Sequence, residues 1–417
     1  MKFITRNSQL TLNPKIANRD RSSFPIFKSN PTLVYLDSAA TTHKPRSVIK
    51  TETDFYSKYN ANVHRGVYGI AVQASNAYEN VREKVAAFIG AATKNEIVFT
   101  SGTTSGINLV AQSFLAPQLN AGDEVIISVM EHHANLIPWQ QVCLQKNAVL
   151  RVIPFDENGV LNLNVYESFI NAKTKLVAVT HISNTLGTIN PIEKIIDSAH
   201  QKNIPVLIDA AQSISSYEIN VQKLGADFLV FSAHKLFGPT GVGILFGKAH
   251  HLETMQPHQF GGDAIRDVTF ERTLFAPPPQ RFEPGTQNIA GIIGLGAAID
   301  FTEKIGRKNI FAHTNSLLKI ATSKLQNIKG VRIIGNAPEK LAIISFIIGG
   351  IHPHDAASIL AQRNICIRAG QHCTQPIMDF FDLPGTIRAS FSVYNDEVDV
   401  EKLIMGIEEV KKIMRFN

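Results

Sequence analysis

Apolar residues between 74 and 89 recur at Ala77, Val81, Val85, Phe88 and Ile89, mostly three or four apart, which lines one face of an amphipathic helix. The spacing predicts a helix there. Beyond it, short and nearly unbroken apolar runs at 96–100, 124–128, 176–180, 205–209, 227–232 and 242–246 alternate with helical stretches. Runs apolar on both faces suit strands covered by helices on each side, so the pattern predicts an α/β fold with a mostly parallel central sheet. Three prolines at 277–279 and the segment 281–286 interrupt the alternation, and the small-residue stretch 290–298 reads as a connecting helix. The expected organisation is an N-terminal arm over 1–30, a large domain over 31–295 and a smaller α+β domain over 296–417. Strands are expected at 341–348, 365–368 and 387–393 of the smaller domain, and helices at 356–363 and 398–414. No internal repeat is visible.

With 417 residues, 44% hydrophobic and 18% charged, the chain is too apolar to be disordered and long enough for two or three packed domains. Its longest apolar run, 341–351, falls far short of the roughly 20 residues that cross a bilayer, so no membrane span is expected. The net charge of +6 first suggests a nucleic-acid partner, but six basic side chains stand against Asp20 alone in the first thirty residues. The body is left close to neutral, without the basic stripe that a phosphate backbone requires, so nucleic acid is set aside. The basic segment lacks an apolar signal core and reads as a flexible arm rather than a transit peptide. Three cysteines make no disulfide framework and fit a reducing, cytoplasmic setting.

Ligands of open α/β sheets bind beyond the carboxyl ends of the strands, and the residues there are polar and reactive. The loop 100–106, Thr-Ser-Gly-Thr-Thr-Ser-Gly, precedes an apolar helical stretch whose free N–H groups suit a phosphate; a plain helix cap explains it equally well. Neither a P-loop nor a dinucleotide fingerprint occurs. Asp209 closes a strand of Pro, Val, Leu and Ile, so its carboxylate is expected to be buried and to want a cationic partner. Lys235 lies between two apolar strands; desolvation there lowers its pKa and frees the neutral amine for a Schiff base. Alone, it would be read as an ordinary loop lysine. Together, the phosphate-binding helix start, the carboxylate and the lysine are the parts that hold pyridoxal 5'-phosphate. The pair His132-His133 lacks an H-E-x-x-H frame or completing ligands, so no metal is expected.

The runs 209–213 (Asp-Ala-Ala-Gln-Ser) and 231–241 (Phe-Ser-Ala-His-Lys-Leu-Phe-Gly-Pro-Thr-Gly) closely resemble the cofactor site of the class V aminotransferase, or NifS-like, family of fold-type I enzymes. The resemblance extends over most of the chain, through 64–66, 131–135 and 183–187, and is strongest to SufS-type (type II) cysteine desulfurases. It implies that Lys235 carries the cofactor, Asp209 pairs with the pyridine nitrogen and Gln212 contacts the ring's phenolic oxygen. Thr104, Ser232 and His234 would hold the phosphate, Thr286 would reach over from a second subunit of a homodimer, and His132 would stack on the ring. His64 joins the expected substrate ligands on the same ground.

Cys143 and Cys366, in apolar surroundings, read as core filler. Cys373 sits in the polar segment 368–376, where a loop would expose it and a nearby imidazolium or arginine would favour thiolate. That segment resembles the R-x-G-H-H-C loop of type II desulfurases, with Gln371 in place of the first histidine. In 387–393, Arg388 shares one strand face with Ser390 and Ser392, a recess suited to a substrate carboxylate or simply a polar solvent edge. The resemblance favours the former, with Asn184 as a second ligand and Arg368 beside the loop. It implies conversion of L-cysteine to L-alanine with sulfur passed to Cys373 and then to a SufE- or SufU-like acceptor, for iron–sulfur cluster assembly. Selenocysteine lyase and other class V chemistries are the alternatives.

Overall fold

The computed structural model describes residues 21–415. Its larger sheet has seven strands: β1 (Ile97–Thr100), β2 (Glu124–Ser128), β3 (Val149–Ile153), β4 (Thr174–Thr180), β5 (Val206–Asp209), β6 (Phe228–Ser232) and β7 (Gly243–Gly247). They lie in the order β1-β7-β6-β5-β4-β2-β3, all parallel except β7, which runs antiparallel to both neighbours. Along β2, Ile126 packs into one core cluster while Val125 and Ile127 pack into another on the opposite face. This two-sided burial is why the central strands read as unbroken apolar runs. The edge strand β3, Val-Leu-Arg-Val-Ile, leaves most side chains exposed and so escaped that pattern.

A second sheet joins β8 (Val331–Ile334), β9 (Ile343–Ile348), β10 (Arg368–Gly370) and β11 (Thr386–Ser390) in the antiparallel order β8-β9-β11-β10. The stretch 365–368, expected as one strand, is split. Ile365–Cys366 pairs instead with Val34–Tyr35, parallel. The helices around this framework include α1 (Gly69–Ile89), α2 (Thr103–Val110), α3 (Ile289–Ile305) and α4 (Arg307–Gln326). Helix α3 runs unbroken through the point where the sequence placed a boundary, and Val34 and Leu36 belong to the core of the second sheet. Among the described residues no helix is long and apolar enough to cross a membrane.

The expected flexible arm needs correction over 21–30. Phe24 and Phe27 are buried against Phe237 and Tyr394, and Arg21 donates to Asp399 at 3.2 Å and to the Leu33 carbonyl at 2.7 Å. Two aromatic side chains outweigh the positive charge that suggested an arm. The rest of that segment, and its arm or targeting reading, lies outside the described residues.

Candidate active site

The carboxyl ends of β2, β4, β5 and β6 open on a cavity of about 250 Å³, closed from the other side by β10, β11 and the turn between them. That volume lies near the lower end for small-ligand pockets, roughly 300 Å³. Lys235 ends a single 3₁₀ turn, Ala233–Lys235, directly after β6, and Asp209 is the last residue of β5. Both line the cavity. Asp209 is 4% exposed and accepts the Ala211 N–H at 2.9 Å; burial pushes its pKa up, against the pull of Lys235. Burial brings the Lys235 amine down to about 8, opposed by Asp209 and assisted by Arg388 and Arg368. The expected desolvation of the lysine is thus a property of the fold.

Helix α2 points its N-terminus into the cavity. The hydroxyl of Ser232 accepts the Thr103 N–H at 2.8 Å and lies 2.8 Å from the Thr103 hydroxyl, while Thr104 and His234 complete that corner. The approach depends on Gly243, where a Cβ would stand 2.4 Å from the Gly102 Cα. Thr103 was not singled out in the sequence; only its bond to Ser232 separates it from its neighbour Thr104. Burial and the charges of Lys235 and Lys44 lower His234 to about 4, so it meets an anion here as a neutral donor. Gln212 also lines the cavity and donates to the Ala39 carbonyl at 2.8 Å.

His132 follows a buried carboxyl, Glu131, which accepts the Asn135 side-chain amide at 2.6 Å, the Thr180 N–H at 3.0 Å and the Ser128 hydroxyl. Burial raises Glu131 to about 8. The sequence quoted it within a motif but gave it no task. Its bonds tie the turn to β4, and His132 Nδ1 accepts the Ala134 N–H at 3.0 Å, which fixes the ring and leaves Nε2 to carry the proton. Burial first, then Lys235, lowers His132 to about 3, so the imidazole is neutral.

Arg388, in the middle of β11, is 2% exposed. It donates to the Asn184 carbonyl at 3.0 Å and to Asp37 at 2.8 Å, and its Nε has no partner. The solvent-edge reading of this strand face is excluded by that burial. Asn184 Nδ2 donates to the His372 carbonyl at 2.8 Å, linking the guanidinium to the cysteine turn. Arg368 and Cys373 line the same cavity.

Two expectations about the cysteine turn are corrected. Cys373 is half-buried rather than exposed, because its carbonyl accepts the His133 N–H at 2.8 Å and draws the turn against the large sheet. His372 supplies no imidazolium: burial and Arg388 lower it to about 3, and its Nε2 lies 2.8 Å from the Thr386 hydroxyl. The positive charge facing the thiol belongs to the arginines and Lys235. Both His372 (φ 55°) and Cys373 (φ 59°) occupy the left-handed region, a strained conformation for residues with a Cβ. Gln371 is exposed and does not line the cavity.

His64 and Thr286 do not reach the cavity of their own chain. They line a separate small cavity together, where His64, exposed and held left-handed at φ 71°, bonds Glu79 at 3.0 Å. Among the described residues no cluster of histidine, cysteine and carboxylate side chains could hold a metal.

The donor set fits pyridoxal phosphate. A helix start with two hydroxyls suits its phosphate, a buried carboxylate suits its ring nitrogen, a desolvated amine suits its aldehyde, and the orphaned Arg388 Nε suits a carboxylate of the amino acid it would carry.

A probable cysteine desulfurase of Halalkalibacterium halodurans is 45% identical over 400 residues, which cover 95% of this chain and 98% of that protein. Among solved structures, a cysteine desulfurase from Escherichia coli superposes with a TM-score of 0.90 at 36% identity, covering 96% of this chain and 99% of that one. The apo cysteine desulfurase of Thermococcus onnurineus NA1 gives 0.92 at 38% identity, with the same coverage. A model of the family described as Aminotransferase class-V matches residues 34–403, a span holding both sheets and every residue of the cavity, and the chain belongs to that family.

Proposed function

We propose that the protein is a pyridoxal phosphate-dependent cysteine desulfurase that converts L-cysteine to L-alanine and takes the sulfur onto Cys373. The observation that carries this reading is the meeting of Lys235, Asp209, Arg388 and Cys373 around one cavity. Lys235 would hold the cofactor, the helix α2 start with Thr103, Thr104, Ser232 and His234 would bind its phosphate, and Asp209 would stabilise a proton at the ring nitrogen. Gln212 and His132, which line the same cavity, would contact its ring. When bound, pyridoxal phosphate supplies an electron sink that acidifies the substrate Cα and loosens the Cβ–S bond.

The guanidinium of Arg388, with the second amide hydrogen of Asn184, grips the substrate carboxylate and sets Cα beside Lys235. The neutral Lys235 amine would take the Cα proton. The Cys373 thiolate then attacks the substrate sulfur: an S–S bond forms, the C–S bond breaks, and its electron pair stays with carbon, which is protonated to alanine's methyl group. Arg368 balances charge beside that thiolate.

The half-buried Cys373 turn supports transfer to a separate SufE- or SufU-like acceptor that docks over it, and the resemblance of 368–376 to type II desulfurases supports iron–sulfur cluster assembly in the cytoplasm as the destination. The shared cavity of His64 and Thr286 supports a homodimer in which this edge completes the partner's site. Incubating the purified protein with L-cysteine and assaying alanine and protein-bound persulfide, with and without acceptors, tests the reading. Colourless protein with no affinity for pyridoxal phosphate would overturn it.

A further inference from the structure

The turn that presents Lys235 is fastened at one atom. The carbonyl oxygen of His234 accepts the Thr42 N–H at 3.0 Å, the Thr42 hydroxyl at 3.0 Å, the Thr41 hydroxyl at 3.2 Å and the ammonium of Lys44 at 3.2 Å. The amide of Phe237, two residues beyond Lys235, donates to the same Thr42 hydroxyl at 2.9 Å, with Phe237 left-handed at φ 60°. Lys44 also ties its own segment together, donating to the Thr42 carbonyl at 2.5 Å and reaching the Thr41 hydroxyl at 3.5 Å. Its three donors meet three acceptors, and none is a carboxylate.

We propose that Lys44 is a positioning residue for Lys235: its ammonium, seated on the His234 carbonyl, holds the turn in the orientation that aims the Lys235 amine at the cofactor's aldehyde. This rests on the reading of Lys235 as the anchoring amine. A charged donor on a part-buried carbonyl outweighs a neutral one, and the same ammonium reaches the Thr41 hydroxyl and the Thr42 carbonyl, which joins that segment to the turn. The groups facing Lys44 are His43 beside it, His234 across the turn and Glu52 on the helix Arg46–Lys58. Burial keeps both imidazoles at about 4, so they are neutral above pH 6, and Glu52 is the counter-charge that opposes the desolvation of Lys44. Burial brings Lys44 itself to about 8. Two amines with opposite requirements therefore titrate in the same range: Lys235 must lose its proton to react, and Lys44 must keep its proton to hold the turn.

The experiment follows capture of pyridoxal phosphate by the cofactor-stripped full chain between pH 6 and 10, trapping the product with borohydride and identifying the labelled peptide by mass. Wild type is expected to give a bell with its maximum near pH 8. K44M should give a single rising limb to a plateau about tenfold to a hundredfold lower. K44R, charged throughout, should restore the height and lose the falling limb. Thermal unfolding of each variant separates a loss of fold from a loss of aim. Equal height and shape in K44M and wild type overturns the inference, as does a falling limb retained in K44R, which decides the matter should K44M not fold. Failure of wild type to trap label at Lys235 removes the proposed function and the inference with it, whereas correct labelling with identical profiles removes the inference alone.

Discussion

Arg388 and Asp37 form an ion pair in which the guanidinium is 2% exposed, Nη2 stands 2.8 Å from Oδ1, and Nε is left without a partner. A buried guanidinium that lines a cavity and keeps an unmet donor is costly, and a ligand carboxylate in that cavity would offset its charge. R388K should therefore lower kcat/KM for L-cysteine by about ten- to hundredfold, mostly through KM, because lysine supplies charge without the planar fork. Cofactor content should not change. Steady-state alanine production together with the cofactor absorbance checks both statements, and an unchanged KM would sink the carboxylate role.

Cys373 sits at the cavity with a left-handed backbone, held by the His133 N–H on its own carbonyl and by Asn184 on that of His372. Serine keeps this geometry and removes the sulfur nucleophile. C373S should bind pyridoxal phosphate as wild type does and yield no protein-bound persulfide from L-cysteine, read by cyanide-labile sulfur. Alanine still formed at the wild-type rate from L-cysteine with dithiothreitol would contradict the assignment. Activity kept on L-selenocysteine alone would mark a lyase.

The cavity positions of Asp209 and Lys235 were legible because Asp209 ends an apolar strand and Lys235 follows another by a single turn, and strand ends are where ligands of an α/β sheet bind. Cys373 was legible as the one thiol in a polar segment. What the sequence hid was state rather than identity. Nothing in the local string says that His372 is buried beside Arg388 and neutral, or that the His133 amide half-buries Cys373. His64 and Thr286 came from resemblance, and one chain cannot bring them to the cavity. Helix α4 went unread because its stripe of Ile310, Leu317, Ala321 and Leu325 is diluted by threonine, serine, asparagine and lysine. Residues 21–30 were misjudged because charge was weighed and Phe24 was not.

Asp209 and Lys235 set each other's protonation in the cofactor-free protein. With Lys235 near 8, about a tenth of the amine is neutral at pH 7, against roughly three parts in ten thousand for an ordinary lysine. Raising pH through 8 should saturate its reactivity. Asp209 opposes this shift, so D209N should lower the Lys235 pKa further and increase its acylation at pH 7, while weakening retention of pyridoxal phosphate. Competitive acetylation with mass readout at Lys235 measures the first effect and dialysis the second. Lys235 reactivity unchanged in D209N would show that the two charges do not interact, and a decrease would contradict the expected sign.

Far from the cavity, Asp227 is 4% exposed, with its carboxylate 2.7 Å from Lys248, 2.8 Å from His200 and 3.3 Å from His251, and accepting the Val206 N–H at 2.8 Å. These donors join the chain entering β5 to the loop before β6 and to the segment that follows β7. They hold the carboxyl well below its ordinary value of 3.8 against the cost of burial. A carboxyl depressed in the folded state stabilises the fold above its unfolded pKa, and that contribution is lost as pH falls below about 4 toward the folded value. D227N should therefore cost about 1–3 kcal/mol at pH 7, since it takes the carboxylate away from the Lys248 ammonium and weakens the acceptor of the Val206 N–H. The gap between variant and wild type should narrow as the pH is taken below 4, where the unfolded chain binds a proton at Asp227 that the folded chain still excludes. Urea unfolding at pH 7 and near pH 3 measures both differences, and equal gaps at the two pH values would mean that the clasp stabilises through shape and hydrogen bonding, without the charge of Asp227.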